Sequence, residues 1–172
     1  RVPILTVFHW LMGTYRIIIH FDFDAFFCAV EEHDQPSLRG IPFAVGGHLD
    51  GRGVVISCSY AARRFGVQSA IPITTAMRLC PPLVVIPPRH RAYEKVSQEA
   101  MDYLSCLTET LQQISIDEAF LDITNLQKTS HQVATLIQEN ILRDLGLPCS
   151  LGISTNRFVA KIANSVGKSA FQ

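Results

Sequence analysis

Charge is scarce in this sequence: only 17% of its 172 residues are Asp, Glu, Lys or Arg, and the fifteen bases balance the fifteen acids to a formal net charge of zero. Taken alone, that neutrality argues against a nucleic-acid partner, because duplex binding normally leaves a surplus of Lys and Arg. Low-complexity tracts, internal repeats and Ser/Gly linkers are missing, and 48% of the residues are apolar, which excludes a long disordered segment and leaves a globular piece with a real core. The five cysteines, at 28, 58, 80, 106 and 149, form no C-x-x-C pair and have no nearby His at zinc spacing. An odd, scattered set of this kind reads as reduced, mostly buried thiols of a cytosolic protein rather than a disulfide framework. Long apolar runs are missing too. Residues 1–11 are apolar but far short of the ~20 needed to span a bilayer, and no convincing cleavage site follows them. Met12 stands just before the first convincing strand and is expected to be the true start, with 1–11 as upstream read-through or a foreign tail.

What is present falls into a clear order. The run 16–22 (RIIIHFD) is nearly continuous in apolar residues and rich in Ile, which suits a buried central strand. Asp24 precedes AFFCAVEEH, a helical pattern, and is placed to be its N-cap. Between 36 and 88 the glycines at 40, 46, 47, 51 and 53 punctuate two short strands, around 42–46 and 53–57, and small helices are expected at 59–65 and 74–80. Over 89–107, Tyr93, Val96, Ala100, Tyr103 and Leu104 recur at helical spacing. Residues 112–123 (QQISIDEAFLDI) read as two strands meeting at Asp117-Glu118. A helix over 131–144, a stop at Gly146-Leu147-Pro148, a strand at 149–154 and a helix after Asn156 complete the chain. Without the Gly-marked insert the order is βαββαβ, the ferredoxin-like α/β pattern.

Four constellations carry chemistry. In F-D-F-D, 21–24, an acid ends a central strand, where it is costly unless a cation faces it; Asp22 is the better metal ligand and Asp24 the better helix cap. In S-I-D-E-A-F-L-D, 115–122, Asp117 and Glu118 are either an acidic solvated turn or, beside Asp22, two further ligands of one site. Three converging carboxylates suit Mg²⁺, and a pair of such ions about 3.5–4 Å apart serves in-line displacement at phosphorus. In SYAARRFGV, 59–67, Tyr60 and Arg63 share a helix face and offer donors to phosphate, although Arg63-Arg64 also reads as a solvated surface. In GISTNRFVAKIA, 152–163, Ser154, Thr155 and Asn156 cap a helix, and Lys161 is either a surface lysine or a group meeting an anion near that helix start.

FDFDAFFCAVE, VVISCSYAARRFGVQSAIP, LCPPLVVIPPRHRAYEKVS, SIDEAFLD and GISTNRFVAKIA follow one another in the order and at the spacings of the Y-family translesion DNA polymerases, the DinB/UmuC type. The resemblance, which is to the DNA polymerase IV-like members, runs over 15–168 and implies template-directed addition of deoxynucleotides to a primer 3′ end by two-metal nucleotidyl transfer, in damage tolerance, in the bacterial cytosol and nucleoid. It implies a palm at 14–25 and 88–172, fingers at 26–87 and an N-terminal extension at 1–13. Asp22, Asp117 and Glu118 correspond to the metal-binding acids, with the Phe23 backbone carbonyl as a further ligand and two Mg²⁺, or Mn²⁺ in their place, as the cofactor. Tyr60, Arg63 and Lys161 resemble the triphosphate clamp, with Ser57 a supplementary contact. Phe27 resembles the steric gate against the 2′-hydroxyl; composition alone reads it as core. Val54 and Ile56 resemble the roof of the nucleotide pocket. Primer-template DNA and deoxynucleoside triphosphates are the implied partners, and a sliding clamp for complete relatives. Such relatives continue into a thumb and a basic little finger, whereas this chain is expected to stop before both, which accounts for its neutral charge.

Two rivals remain. A nucleotidyl cyclase palm should carry a G-G-D/E-E-F turn where this chain has S-I-D-E-A-F, and should lack the Gly-punctuated insert. A non-catalytic relative, serving as a repair scaffold, should have lost metal carboxylates that this chain keeps.

Overall fold

The computed structural model describes residues 4–6, 15–47 and 53–170, so the expectation placed on Met12 lies outside the described residues. In chain order the elements are β1 (Ile4–Thr6), β2 (Ile18–Phe23), α1 (Phe26–Asp34), β3 (Phe43–Gly46), β4 (Val55–Cys58), α2 (Tyr60–Arg63), α3 (Ile73–Leu79), β5 (Val84–Ile86), α4 (His90–Leu107), β6 (Leu111–Gln113), β7 (Glu118–Asp122), α5 (Ser130–Leu145), β8 (Cys149–Ser154) and α6 (Arg157–Ala170). They divide into two compact units, one of Arg1–Asp24 with Glu94–Gln172 and one of Ala25–Tyr93.

The first unit is built on a sheet in the order β1-β8-β2-β7-β6. β2 runs antiparallel to both β8 and β7, and β7 antiparallel to β6. With β1 set aside, this is the fourth, first, third and second strand of a βαββαβ chain, the ferredoxin-like arrangement that the sequence pattern implies. β2 is central, as its Ile-rich run requires, and Ile18, Ile19, Phe21 and Phe23 are all buried. α5 buries Val133, Ala134, Ile137 and Ile141 along one stripe. Its start is fixed by a capping box between Thr129 and Gln132 and its end by Gly146, at φ 68°. Gly152 on β8 is required on steric grounds, since a Cβ there would come within 2.0 Å of the Ala160 carbonyl oxygen; only glycine lets α6 lie this close to the sheet. Asn156 caps α6, its side-chain oxygen accepting from the Val159 N–H at 2.9 Å.

The second unit has a three-stranded sheet in the order β4-β3-β5, with β3 antiparallel to β4 and parallel to β5. Its core is made of Ala44, Val55, Cys58, Ala62, Val67, Ile73, Ala76, Cys80 and Leu83. The buried Glu31 carboxylate accepts from Arg89 Nε at 2.9 Å and Tyr93 Oη at 2.6 Å, tying α1 to the start of α4 with its charge paired. The sequence reading does not anticipate β5, three residues behind Pro81-Pro82, nor β1, which pairs parallel with Leu151–Ile153. Both are too short to show a period.

Candidate active site

Strand alternation puts His20, Asp22 and Asp24 on one side of the chain at the end of β2, and register brings Asp22 opposite Glu118 on β7 and Ser150 on β8. His20, Asp22 and Glu118 offer ligand atoms within 4.8 Å of one another. The imidazole is spoken for on both nitrogens. The Asn164 side-chain amide lies 3.2 and 3.0 Å from the His20 and Ser150 carbonyl oxygens, contacts that require its NH₂ on that side. That NH₂ therefore donates to His20 Nδ1 at 2.9 Å, so Nε2 carries the proton and donates it to Glu118 Oε1 at 2.9 Å. Burial holds His20 below its ordinary value, against the pull of Glu118. A neutral His donating to the acid orients it without being a ligand, and the remaining donors are hard oxygens.

Burial pushes Glu118 up, but the hydrogen bonds from Lys161 and His20 outweigh it and keep the carboxyl below its usual range. Lys161 Nζ lies 2.6 Å from Glu118 Oε1, with its own side chain half exposed. Asp22 goes the other way: burial raises it despite the Lys168 ammonium beside it, and the charge of Asp117 adds to the rise. Asp117 ends the turn before β7; its Oδ1 accepts from the Ser115 hydroxyl at 2.7 Å, while its carbonyl takes the Phe23 N–H at 3.1 Å.

Lys168, in the last turn of α6, is the residue that the sequence reading misses. Its ammonium donates to Asp22 Oδ1 and to the Phe23 carbonyl at 2.8 Å, and lies 3.2 Å from Asp24 Oδ1. The signal was helical spacing: Lys161, Asn164 and Lys168 fall on one face of α6, at i, i+3 and i+7. The cap assigned to Asp24 is corrected. The N-cap of α1 is Ala25, in the left-handed region at φ 48°, with no side-chain cap bond. Asp24 instead accepts from the Ser150 hydroxyl at 2.8 Å. The turn in the backbone at Ala25 leaves the Asp24 carboxylate with the acid cluster instead of the helix start.

The other expected site residues belong to the second unit. Tyr60 and Arg63 share a face of α2, the guanidinium 5.0 Å from the centre of the Tyr60 ring. Ser57 is buried on β4, beside the Cys28 thiol. Val54 is exposed and bridges to Pro72, and Ile56 is half-buried on β4. Phe27 is half-buried, its ring edge-on to Tyr93 with centroids 4.7 Å apart.

Residues 21–165 match the model of the impB/mucB/samB family. Over 160 residues the chain is 42% identical to the DNA polymerase IV of Clostridioides difficile, covering 91% of this chain and 44% of that protein. Over 162 residues it is 44% identical to the DNA polymerase IV of Listeria innocua, covering 92% of this chain and 46% of that one. Its fold is similar to DinB from Sulfolobus solfataricus, with a TM-score of 0.81 at 34% identity over 87% of this chain and 45% of that one. It is similar also to Dbh DNA polymerase in an insertion ternary complex, with a TM-score of 0.82 at 32% identity over 91% and 46%. The chain thus spans less than half the length of the curated relatives it matches.

Proposed function

The chain belongs to the impB/mucB/samB family, and from that membership and the acid cluster at the end of β2 we propose that it is the palm and fingers of a translesion-type DNA polymerase. The two units are the natural candidates for those parts, with the acids on the first and Tyr60, Arg63 and Phe27 on the second. One observation carries the reading: Asp22 lies opposite Glu118 on the neighbouring strand, and beside them the structure already seats a cation, the Lys168 ammonium, among the oxygens of Asp22, Phe23 and Asp24. Oxygen donors at the open end of a sheet fit Mg²⁺ or Mn²⁺ better than the softer metals that cysteine and free imidazole would draw.

Asp22, Glu118, Asp117 and the Phe23 carbonyl would hold two such ions. When bound, they supply activation of the primer hydroxyl and stabilisation of the departing phosphate oxygens. The chain's own residues prepare this. His20 fixes the rotamer of Glu118, Asn164 fixes the tautomer of His20, and Lys161 keeps Glu118 ionised. Tyr60, Arg63 and Lys161, with Ser57, are proposed to take the triphosphate; Phe27 to exclude the 2′-hydroxyl; Val54 and Ile56 to roof the nucleotide. Primer-template DNA and deoxynucleoside triphosphates are the proposed substrates, the cytosol the proposed place, and a sliding clamp the proposed partner of the longer protein.

The test is primer extension by this chain joined to the C-terminal remainder of a close DNA polymerase IV. Asp117→Ala with Glu118→Ala should lower incorporation by at least about 10³-fold, the scale on which losing transition-state charge stabilisation is felt. Extension at the parental rate by that variant overturns the metal assignment. Run with ribonucleotides, the same assay reports on Phe27: Phe27→Ala should admit them, and unchanged sugar discrimination would make Phe27 a packing residue only.

A further inference from the structure

We infer that Lys168 is a built-in cation of the acid cluster, its ammonium lying among the oxygens of Asp22, Phe23 and Asp24, so that a divalent ion must displace it to bind. The inference rests on the proposed metal site. Lys168 is well placed for the part: its side chain is 20% exposed, and its contacts are to two carboxylates and one carbonyl. An ammonium has three donors, and here each has an oxygen to meet. Asp22 and Asp24 are largely buried, and carboxylates so placed are costly to leave without a cation. The lysine lets the chain fold with its acids already paired.

The same oxygens cannot serve both cations. Mg²⁺ demands its ligands at about 2.0–2.1 Å and in near-octahedral array. An ammonium 2.8 Å from the Phe23 carbonyl fills the space in front of that carbonyl and of Asp22. Lys161 is different in kind: half exposed and with Glu118 Oε1 as its acid partner, it screens the site from its rim. Withdrawal of Lys168 asks nothing of the sheet, because the four-carbon stem is flexible and the residue sits in the last turn of α6.

Calorimetric titration of Mn²⁺ into the 172-residue chain at low salt, without nucleotide, tests this. Lys168→Met should bind Mn²⁺ about tenfold more tightly than the parent, and Lys168→Arg should stay near the parent, since it keeps a cation in place. Lys161→Met should change affinity less than Lys168→Met. Equal affinity of the parent and Lys168→Met overturns the inference while leaving the metal site standing. No binding to any of the chains overturns the metal site and the inference with it. Should Lys168→Met fail to fold, the unaltered chain decides by lysine acetylation read by mass spectrometry. Lys168 should be protected relative to the exposed Lys95 without metal and label faster once Mn²⁺ is added. Equal labelling of Lys168 with and without saturating Mn²⁺ overturns displacement.

Discussion

A thiol ionises readily only where water can reach the sulfur, and Cys28, Cys58, Cys80 and Cys149 are buried while Cys106 is exposed. Burial pushes the Cys28 thiol up to about 12, with the Ser57 hydroxyl and the Val45 backbone offsetting part of the rise, and it raises Cys58, Cys80 and Cys149 as well. The sign of the linkage follows. Above the ordinary thiol value of 9.0 the unfolded chain gives up these protons while the fold holds them, so stability is lost as pH rises from about 9 towards 12. In that window the Cys28 thiol contributes up to about a tenfold change in the folding equilibrium per pH unit. Melting temperature followed from pH 8 to 11 should therefore fall, and Cys28→Ala should flatten the fall. An unchanged slope in that variant would remove Cys28 as a cause. At pH 8 a thiol reagent should react fast with Cys106 and with the other four only on unfolding, the reduced and mostly buried set that an odd, scattered cysteine pattern implies.

At the scale of elements, legibility followed periodicity and punctuation. α4, α5, α6 and β8 lie within a residue or so of their expected bounds, because apolar spacing and residues such as Thr129, Gly146 and Asn156 mark them locally. β1 and β5 were illegible: three residues carry no period, and their existence depends on the edges of β8 and β3 being there to pair with. The site divides in the same way. Asp22 and Glu118 could be read because a carboxylate at a strand end is locally anomalous. The roles of His20, Asn164 and Lys168 depend on how α6 lies against β2 and β8, which rests on the missing side chain of Gly152; the spacing within α6 puts Asn164 and Lys168 on one face but does not say what that face meets. Asp24 was misread for a related reason. Asp before a helical run is a good cap, but the cap geometry is taken by Ala25, held at a positive φ that local propensity does not favour.

For the molecule as a whole the decisive quantity is charge. Affinity for a nucleic-acid backbone grows with the number of phosphates neutralised, and each contact adds to the slope of binding against salt. Here fifteen bases meet fifteen acids. Among the described residues, six bases, Arg16, Arg89, Lys95, Arg143, Lys161 and Lys168, already lie within 4.0 Å of a carboxylate oxygen. The exposed pairs among them contribute little to stability, yet each sets an anion beside a cation that a phosphate would otherwise meet. The relatives are about twice as long as this chain, so their DNA affinity has further surface to draw on. This chain should therefore hold a primer-template duplex no more tightly than non-specific binders do, about 10⁻⁴–10⁻⁶ M at physiological salt, and with a shallow salt slope. Fluorescence anisotropy with a labelled duplex at several salt concentrations measures both quantities. Joining the chain to the C-terminal remainder of a DNA polymerase IV should raise affinity and steepen the slope together, because added phosphate contacts act on both. Nanomolar binding by the 172 residues alone, or a joined protein with the same slope, would show that the neutral surface is not what limits DNA binding.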